Sequence, residues 1–217
     1  MYRKRNNIGS FWPVPKKGTK YVAMSTHNQN ESIPLVVIAR DILKLVRNKK
    51  ELKKILNQKD IMINQKEIRE VNYPVSILDI ITFKNMNKSY RAELSKKKKM
   101  IFLEVKDKEA YKKIYKINNK TVLNKNKIQL NLMHGRTIMS DQKAKTGDSA
   151  VINLKDNKLE KIIPLEKGRK VFVIFGKHAG FYGKIEEIVE RGSKKVAKLS
   201  SENQRLNVWT KNLIAIE

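Results

Sequence analysis

The chain of 217 residues contains no cysteine. That excludes disulfides, thiolate metal sites and thiol nucleophiles, and it fits a reducing compartment. No run of about 18 apolar residues occurs, so no membrane-spanning helix is expected. The N-terminus has the positive start of a signal peptide but lacks the apolar stretch, so a cytoplasmic protein is expected. Acidic residues are scarce: 21 Asp and Glu face 48 Lys and Arg, and none precedes Glu31. The three histidines, His27, His134 and His178, are far apart and lack ligand spacing. There is no Gly-rich phosphate loop of the G-x-x-x-x-G-K-[ST] type and no G-x-S-x-G elbow. Asp79 and Asp148 are single carboxylates without a visible partner. No catalytic constellation, metal site or cofactor site is therefore expected.

What the chain has is positive charge, a formal +27 spread from end to end. Such a chain repels itself until a polyanion neutralises it, and the commonest intracellular polyanion is nucleic acid. Apolar residues make up 40%, enough for modest cores in one large domain or two to three small ones.

Residues 1–32 hold Arg3, Lys4, Arg5, Lys16, Lys17 and Lys20 interleaved with Phe11, Trp12 and Tyr21, and broken by Gly9, Pro13, Pro15 and Gly18. This composition predicts an extended basic arm that orders against RNA, cations on phosphates and rings on bases, with a solvated terminus as the plain alternative. Ser32 is placed to cap a helix carrying an apolar face from Leu35 to Val46, with Arg40, Lys44 and Arg47 opposite. A second helix is expected from Asn48, with Glu51 completing a capping box and Lys49, Lys50, Lys53 and Lys54 outward. A hairpin turning at Asn64-Gln65 and a strand around Ile77–Ile81 complete a small module over 33–81. A lysine-bearing helix face is often merely solvated.

Residues 82–99, ending in four lysines, read as an exposed loop, and Met100–Val105 as a strand. Ala110, Tyr111, Ile114 and Tyr115 fit a short helix. From Thr121 the pattern becomes strand and turn, with a hairpin at Asp156-Asn157, giving a mainly β central domain over 82–165. Over 166–217, alternating apolar residues, Arg191-Gly192-Ser193 as a turn and three glycines in Gly176–Gly183 suit a small five-stranded barrel. That glycine loop would bring its backbone amides, Lys177 and Lys184 near a phosphate strand.

These pieces, in order, resemble the archaeal and eukaryotic type of small-subunit ribosomal protein four. The resemblance is carried by Phe11–Lys17, by Glu31–Val37 with Arg40–Leu43, and by Tyr73-Pro74-Val75 with Leu78–Ile81. Further along it is carried by Lys127–Leu132, Gly135–Ile138, Lys145–Asp148 and Ile163–Gly168, and by the KOW-like Gly176–Gly180 with Gly183–Ile185. Departures include Ser25–Asn28 in place of a Pro-Gly-Pro-His stretch, Phe175 where glycine is common, a short basic leader and an absent C-terminal tail. The resemblance implies an α+β chain: extended basic arm, helix-helix-hairpin RNA-binding module, mainly β central domain and C-terminal SH3-like KOW barrel. It implies a cytoplasmic, ribosome-bound, non-enzymatic constituent of the small subunit. The partners would be small-subunit ribosomal RNA and neighbouring ribosomal proteins, with no membrane, cofactor or small-molecule substrate. The expected RNA-binding residues are Arg3, Lys4, Arg5, Trp12, Lys16, Lys17, Lys20, Arg40, Lys44, Arg47, Lys50, Lys53, Lys54, Lys177, His178 and Lys184. The competing reading is a free-standing RNA-binding factor, either a KOW-type elongation factor or an RNA-modification protein.

Overall fold

The structure is a computed structural model that describes residues 2–106, 109–123, 128–192, 194–201 and 204–216. Lys127 of the central motif and Ser193 of the expected turn lie outside the described residues. The described residues are mostly strand, with two short α-helices. They divide into two compact units, Met1–Leu94 with Lys98–Tyr111, and Ser95–Lys97 with Lys112–Glu217.

In the first unit, β1 (Tyr2–Lys4) pairs antiparallel with β2 (Tyr21–Ala23). Next come β3 (Ser32–Pro34), α1 (Leu35–Val37), α2 (Lys49–Asn57), β4 (Ile61–Ile63), β5 (Lys66–Glu67) and β6 (Pro74–Ser76). β7 (Ile80–Phe83), β8 (Lys88–Leu94) and β9 (Met100–Val105) complete the unit. β3 pairs with β6, and a five-stranded antiparallel sheet runs β5-β4-β7-β8-β9. Ile33, Leu35, Ile38, Leu52, Leu56, Ile61, Ile80 and Ile81 are fully buried and form its apolar interior.

The first expected helix is shorter than its pattern. It opens after Pro34, widens into a π turn over Ile38–Ile42, and breaks at Lys44, whose φ is +55°. Ser32 does not cap it: Ser32 sits in β3, and its hydroxyl donates to Asn28 O at 2.7 Å. The second helix forms as expected. Asn48 Oδ1 accepts from Glu51 N at 2.9 Å, while Glu51 Oε2 accepts from Arg47 N at 2.7 Å. The Asn64-Gln65 hairpin also forms, both residues having positive φ as a tight two-residue turn requires.

Residues 82–99 are not one loop. β8 occupies Lys88–Leu94, with Ala92 and Leu94 buried alternately with the charged Arg91 and Glu93, and the chain turns at Lys84–Asn87 and at Ser95–Lys99. The sheet thus runs across the expected boundary at 81/82. Around Tyr111 there is a single 3-10 turn (Glu109–Tyr111), after which the chain is extended.

The second unit starts with β10 (Lys112–Val122), β11 (Ile128–Leu132), β12 (Thr137–Ser140), β13 (Ser149–Asn153) and β14 (Lys158–Ile163), paired in the order β12-β11-β10-β13-β14. Asn157 turns the β13–β14 hairpin at φ +55°, as the Asp-Asn signal predicts. A second sheet uses β15 (Lys170–Val173), β16 (Tyr182–Arg191), β17 (Lys194–Ser201), β18 (Gln204–Trp209) and β19 (Leu213–Ile216) in the order β18-β17-β16-β15-β19. Its core is small and aliphatic: Val171, Val173, Ile185, Leu199, Leu206, Val208 and Leu213.

Both expected lone carboxylates have structural work. Asp79 accepts from Ser76 N at 2.6 Å and from Asn64 Nδ2 at 2.8 Å. Asp148 accepts from Lys145 N at 2.9 Å and Leu165 N at 3.0 Å. These bonds to backbone and amide donors fix turns rather than poise an acid and a base.

Candidate nucleic-acid interface

The N-terminal cations divide into two kinds. Arg5 closes its own loop: Nε donates to Thr19 O at 2.7 Å, Nη1 to Pro15 O at 2.7 Å and Nη2 to Thr19 Oγ1 at 2.9 Å. Gly18 passes close under that guanidinium at φ +141°, where a Cβ would lie 3.1 Å from Arg5 Cζ. Arg3 donates to Gln29 O and Asn30 Oδ1, both at 3.2 Å. Lys4, Lys16, Lys17 and Lys20 are exposed. The segment is therefore folded on itself, not a simple extended arm, and Arg3 and Arg5 hold it together.

Trp12 is not the stacking surface its sequence context suggests. It is 2% exposed, and its backbone is held by Gly9 O and Lys99 Nζ. The exposed rings are Tyr2 and Tyr21, which share one face of the β1–β2 ribbon with Lys4, because Lys4 lies directly opposite Tyr21. Lys20 Nζ lies 5.5 Å over the Tyr21 ring. Period-2 counting along Tyr2–Lys4 is the signal that could have found this face.

On the helical side, Lys50, Lys53 and Lys54 are exposed on α2 while Leu52 and Leu56 are buried beneath them. Lys44 and Arg47 are exposed on the approach to α2. Arg40 is exposed but spends two donors on its neighbour: Nε meets Asp41 Oδ1 at 2.7 Å and Nη2 meets Oδ2 at 2.8 Å. That bond raises the Arg40 pKa above the ordinary value. Two of the Arg40 donors are thus committed to Asp41, which leaves fewer for any other anion.

In the second unit the glycine loop is closed by backbone alone. Gly180 N donates to Val173 O at 2.8 Å, Val173 N to Phe181 O at 3.0 Å, and Ile174 N to Asn212 O at 2.9 Å. Ala179 N and Phe181 N close on Gly176 O and His178 O, each at 3.3 Å. The amides of Ala179, Gly180 and Phe181 thus have internal acceptors, contrary to the expectation that they face phosphate. Gly176 and Gly180 take φ of +95° and +90°. Lys177 and Lys184 are exposed, and His178 is half-buried with its ring edge-on to Phe181.

Sequence reasoning missed Lys167, Arg169 and Lys170. All three are exposed, and Lys170 lies directly opposite Lys184 across β15 and β16. Like charges placed opposite each other destabilise the free sheet, and an anion relieves them. The available signal was a stretch from Lys167 to Ile185 that contains no Asp or Glu. Further along β16 the balance reverses: Lys198 pairs Glu187 and Lys195 pairs Glu190, both at 2.7 Å, and each contact pulls its carboxyl below the ordinary range. Tyr182, 49% exposed and tilted on Phe172 with centroids 4.6 Å apart, lies on the same face as Lys184.

Among the described residues two lysines of β10 are buried, Lys113, whose Nζ lies 4.2 Å over the Tyr115 ring, and Lys116. Lys116 Nζ donates to the carbonyls of Thr210, Lys211 and Leu213 at 2.6, 2.8 and 2.8 Å. Burial, with repulsion from Lys211, pushes its pKa down to about 8. Among the described residues no group of His, Asp and Glu could hold a metal, and no helix is long and apolar enough to cross a membrane.

Exposed cations on two mostly β units, with Asp79 and Asp148 committed to turns, define a basic protein. Residues 86–159 match the family model described as ribosomal family S4e. The small ribosomal subunit protein eS4 of Methanospirillum hungatei is 35% identical over 182 residues, covering 81% of this chain and 75% of that protein. The eS4 protein of Nanoarchaeum equitans is 30% identical over 211 residues, covering 94% and 90%. The crystal structure of the 30S ribosomal protein S4e from Thermoplasma acidophilum superposes with a TM-score of 0.74 at 26% identity, covering 86% of this chain and 95% of that one. The chain belongs to ribosomal protein family S4e.

Proposed function

We propose that the protein is a structural constituent of the small ribosomal subunit, bound to ribosomal RNA and neighbouring ribosomal proteins in the cytoplasm. The observation that carries this reading is the near full-length match to relatives named as small ribosomal subunit proteins, on a chain with net charge +27. We read the N-terminal loop and α2 as two RNA-facing surfaces and the β15–β19 sheet as an SH3-like KOW barrel. The cations facing phosphate are Lys4, Lys16, Lys17, Lys20, Lys44, Arg47, Lys50, Lys53, Lys54, Lys177 and Lys184, joined by Lys167, Arg169 and Lys170. Arg3 and Arg5 act by holding the loop that presents the others.

Side chains cannot read the deep major groove of A-form RNA, so recognition falls to backbone shape and to unpaired bases. Affinity then comes mainly from phosphate contacts and falls with salt. Replacing Lys16, Lys17 and Lys20 by Glu reverses three charges on an exposed loop without touching the core. The tagged variant is expected to shift from small subunits to the top of a sucrose gradient in the source cell. Full cofractionation with small subunits would refute the role given to this loop.

A further inference from the structure

The outer face of β15 and β16 presents an aromatic ring that the phosphate account leaves unused. The register sets Lys170 opposite Lys184 and Phe172 opposite Tyr182, so all four side chains lie on one face. Phe172 is fully buried, and the Tyr182 ring lies against it, centroids 4.6 Å apart and planes 35° from parallel. The buried ring holds the tyrosine in place, while 49% of Tyr182 stays open to solvent. Ser200 on β17 lies opposite Lys184 and continues the row. The first carboxylates further along β16 are committed to cations, Glu187 to Lys198 at 2.7 Å and Glu186 to Arg205 at 3.9 Å. The face thus sets an anchored, half-open ring beside two opposed lysines and a hydroxyl. A phosphate satisfies the lysines and leaves the ring in water.

We propose that Tyr182 is a stacking platform for one unpaired base of the RNA. The base lies on the exposed part of the tyrosine ring. The phosphates beside it lie on Lys170 and Lys184, the latter two residues along the strand from Tyr182, about 7 Å. Aromatic side chains hold unpaired bases in this way, and they do so with little regard to base identity. Phe172 fixes the ring before RNA arrives, so little side-chain freedom is lost on binding. A duplex offers phosphates to the lysines but keeps its base faces in its own stack, so it leaves the ring uncovered. An acidic protein segment neutralises the lysines but brings no flat ring system to the tyrosine. This inference rests on the reading of the chain as an RNA-binding protein, and it adds that the β15–β16 face selects an unpaired position.

The test uses the full chain with ring-¹³C-labelled tyrosine, the Tyr182 signal being assigned by its loss in Tyr182→Phe. Three probes are titrated: a short single-stranded RNA, a long RNA duplex with few ends, and an oligoglutamate peptide. The expected result is a saturable upfield shift of the Tyr182 ring protons with the single strand, as a base stacks over them, and none with the bound duplex or the peptide. Tyr182→Ala should weaken single-strand binding about tenfold, more than it weakens duplex binding, and Tyr182→Phe should recover it. The shift in the parent chain decides the matter even if Tyr182→Ala, by uncovering Phe172, fails to fold. A single strand that binds without moving the Tyr182 signal overturns the inference while leaving RNA binding intact. So does a duplex that moves the signal equally, which would make the contact one to phosphate or sugar, or a peptide that does, which would make the face a protein contact. If neither RNA binds, the proposed function fails and the inference with it.

Discussion

The two loops that present cations are built by opposite means. In the N-terminal loop the cations are the structure: Arg5 closes it through three hydrogen bonds, and Arg3 and Lys99 tie down its flanks. In the C-terminal glycine loop the backbone is the structure. Glycines at φ +95° and +90° let amides meet carbonyls across the turn, and no cation is spent on closing it. A basic residue count therefore overstates the number of cations the first loop leaves uncommitted and measures that of the second more faithfully.

The comparison can be broken at its backbone end. A Cβ on Gly183 would lie 3.1 Å from Ser200 O and 3.3 Å from the Leu199 Cβ on the adjacent strand. Gly183→Val is expected to cost about 3 kcal/mol through overpacking, read as a lowered denaturation midpoint. A midpoint within error of the parent would mean that the glycine is not needed for strand approach.

Lys116 sharpens the comparison, because it is a structural cation of the second unit. Its folded pKa, about 8, lies below the ordinary 10.5. The unfolded chain therefore holds more protons between those values, and stability rises with pH across that window. The cost of the buried ammonium is fully present below pH 8. Lys116→Met should flatten the rise by about 1–2 kcal/mol in chemical denaturation at pH 7.5 and 10. An unchanged slope would place the titration elsewhere.

At the side-chain end, Arg5→Met removes three exposed hydrogen bonds worth about 1 kcal/mol in sum once water replaces them. Amide exchange should quicken at Lys16–Lys20 while the β15–β19 sheet keeps its protection. Uniform protection in the variant would contradict the role given to Arg5.

Much of this fold was readable where the signal is local. The Asn48–Glu51 cap, the Asn64-Gln65 turn and the Asp156-Asn157 hairpin each depend on residues within four positions of one another, and all three formed. Failures came where partners are distant. The apolar run Leu35–Val46 has helical spacing, but it is folded into a short π-widened turn that buries Ile38 and Ala39. β8 alternates, but Arg91 and Glu93 on its outer side masked the pattern. Trp12 reads as a surface ring because its segment is basic and broken by Gly and Pro, yet Lys99, 87 positions away, meets its carbonyl. Which cations are tied to carbonyls and which are exposed is a tertiary fact, and composition could report only their sum.

The central claim is that exposed cations, more than structural ones, carry binding to folded ribosomal RNA. Its most direct test is the salt dependence of affinity for a small-subunit ribosomal RNA transcript. The parent chain is compared with a variant carrying Gln at Lys167, Arg169, Lys170, Lys177 and Lys184. The parent should show a steep log–log slope, about −6 or steeper, and the variant a slope shallower by about 3 to 4, since each lost phosphate contact removes about 0.7 to 0.9. Equal slopes for the two proteins would contradict the account.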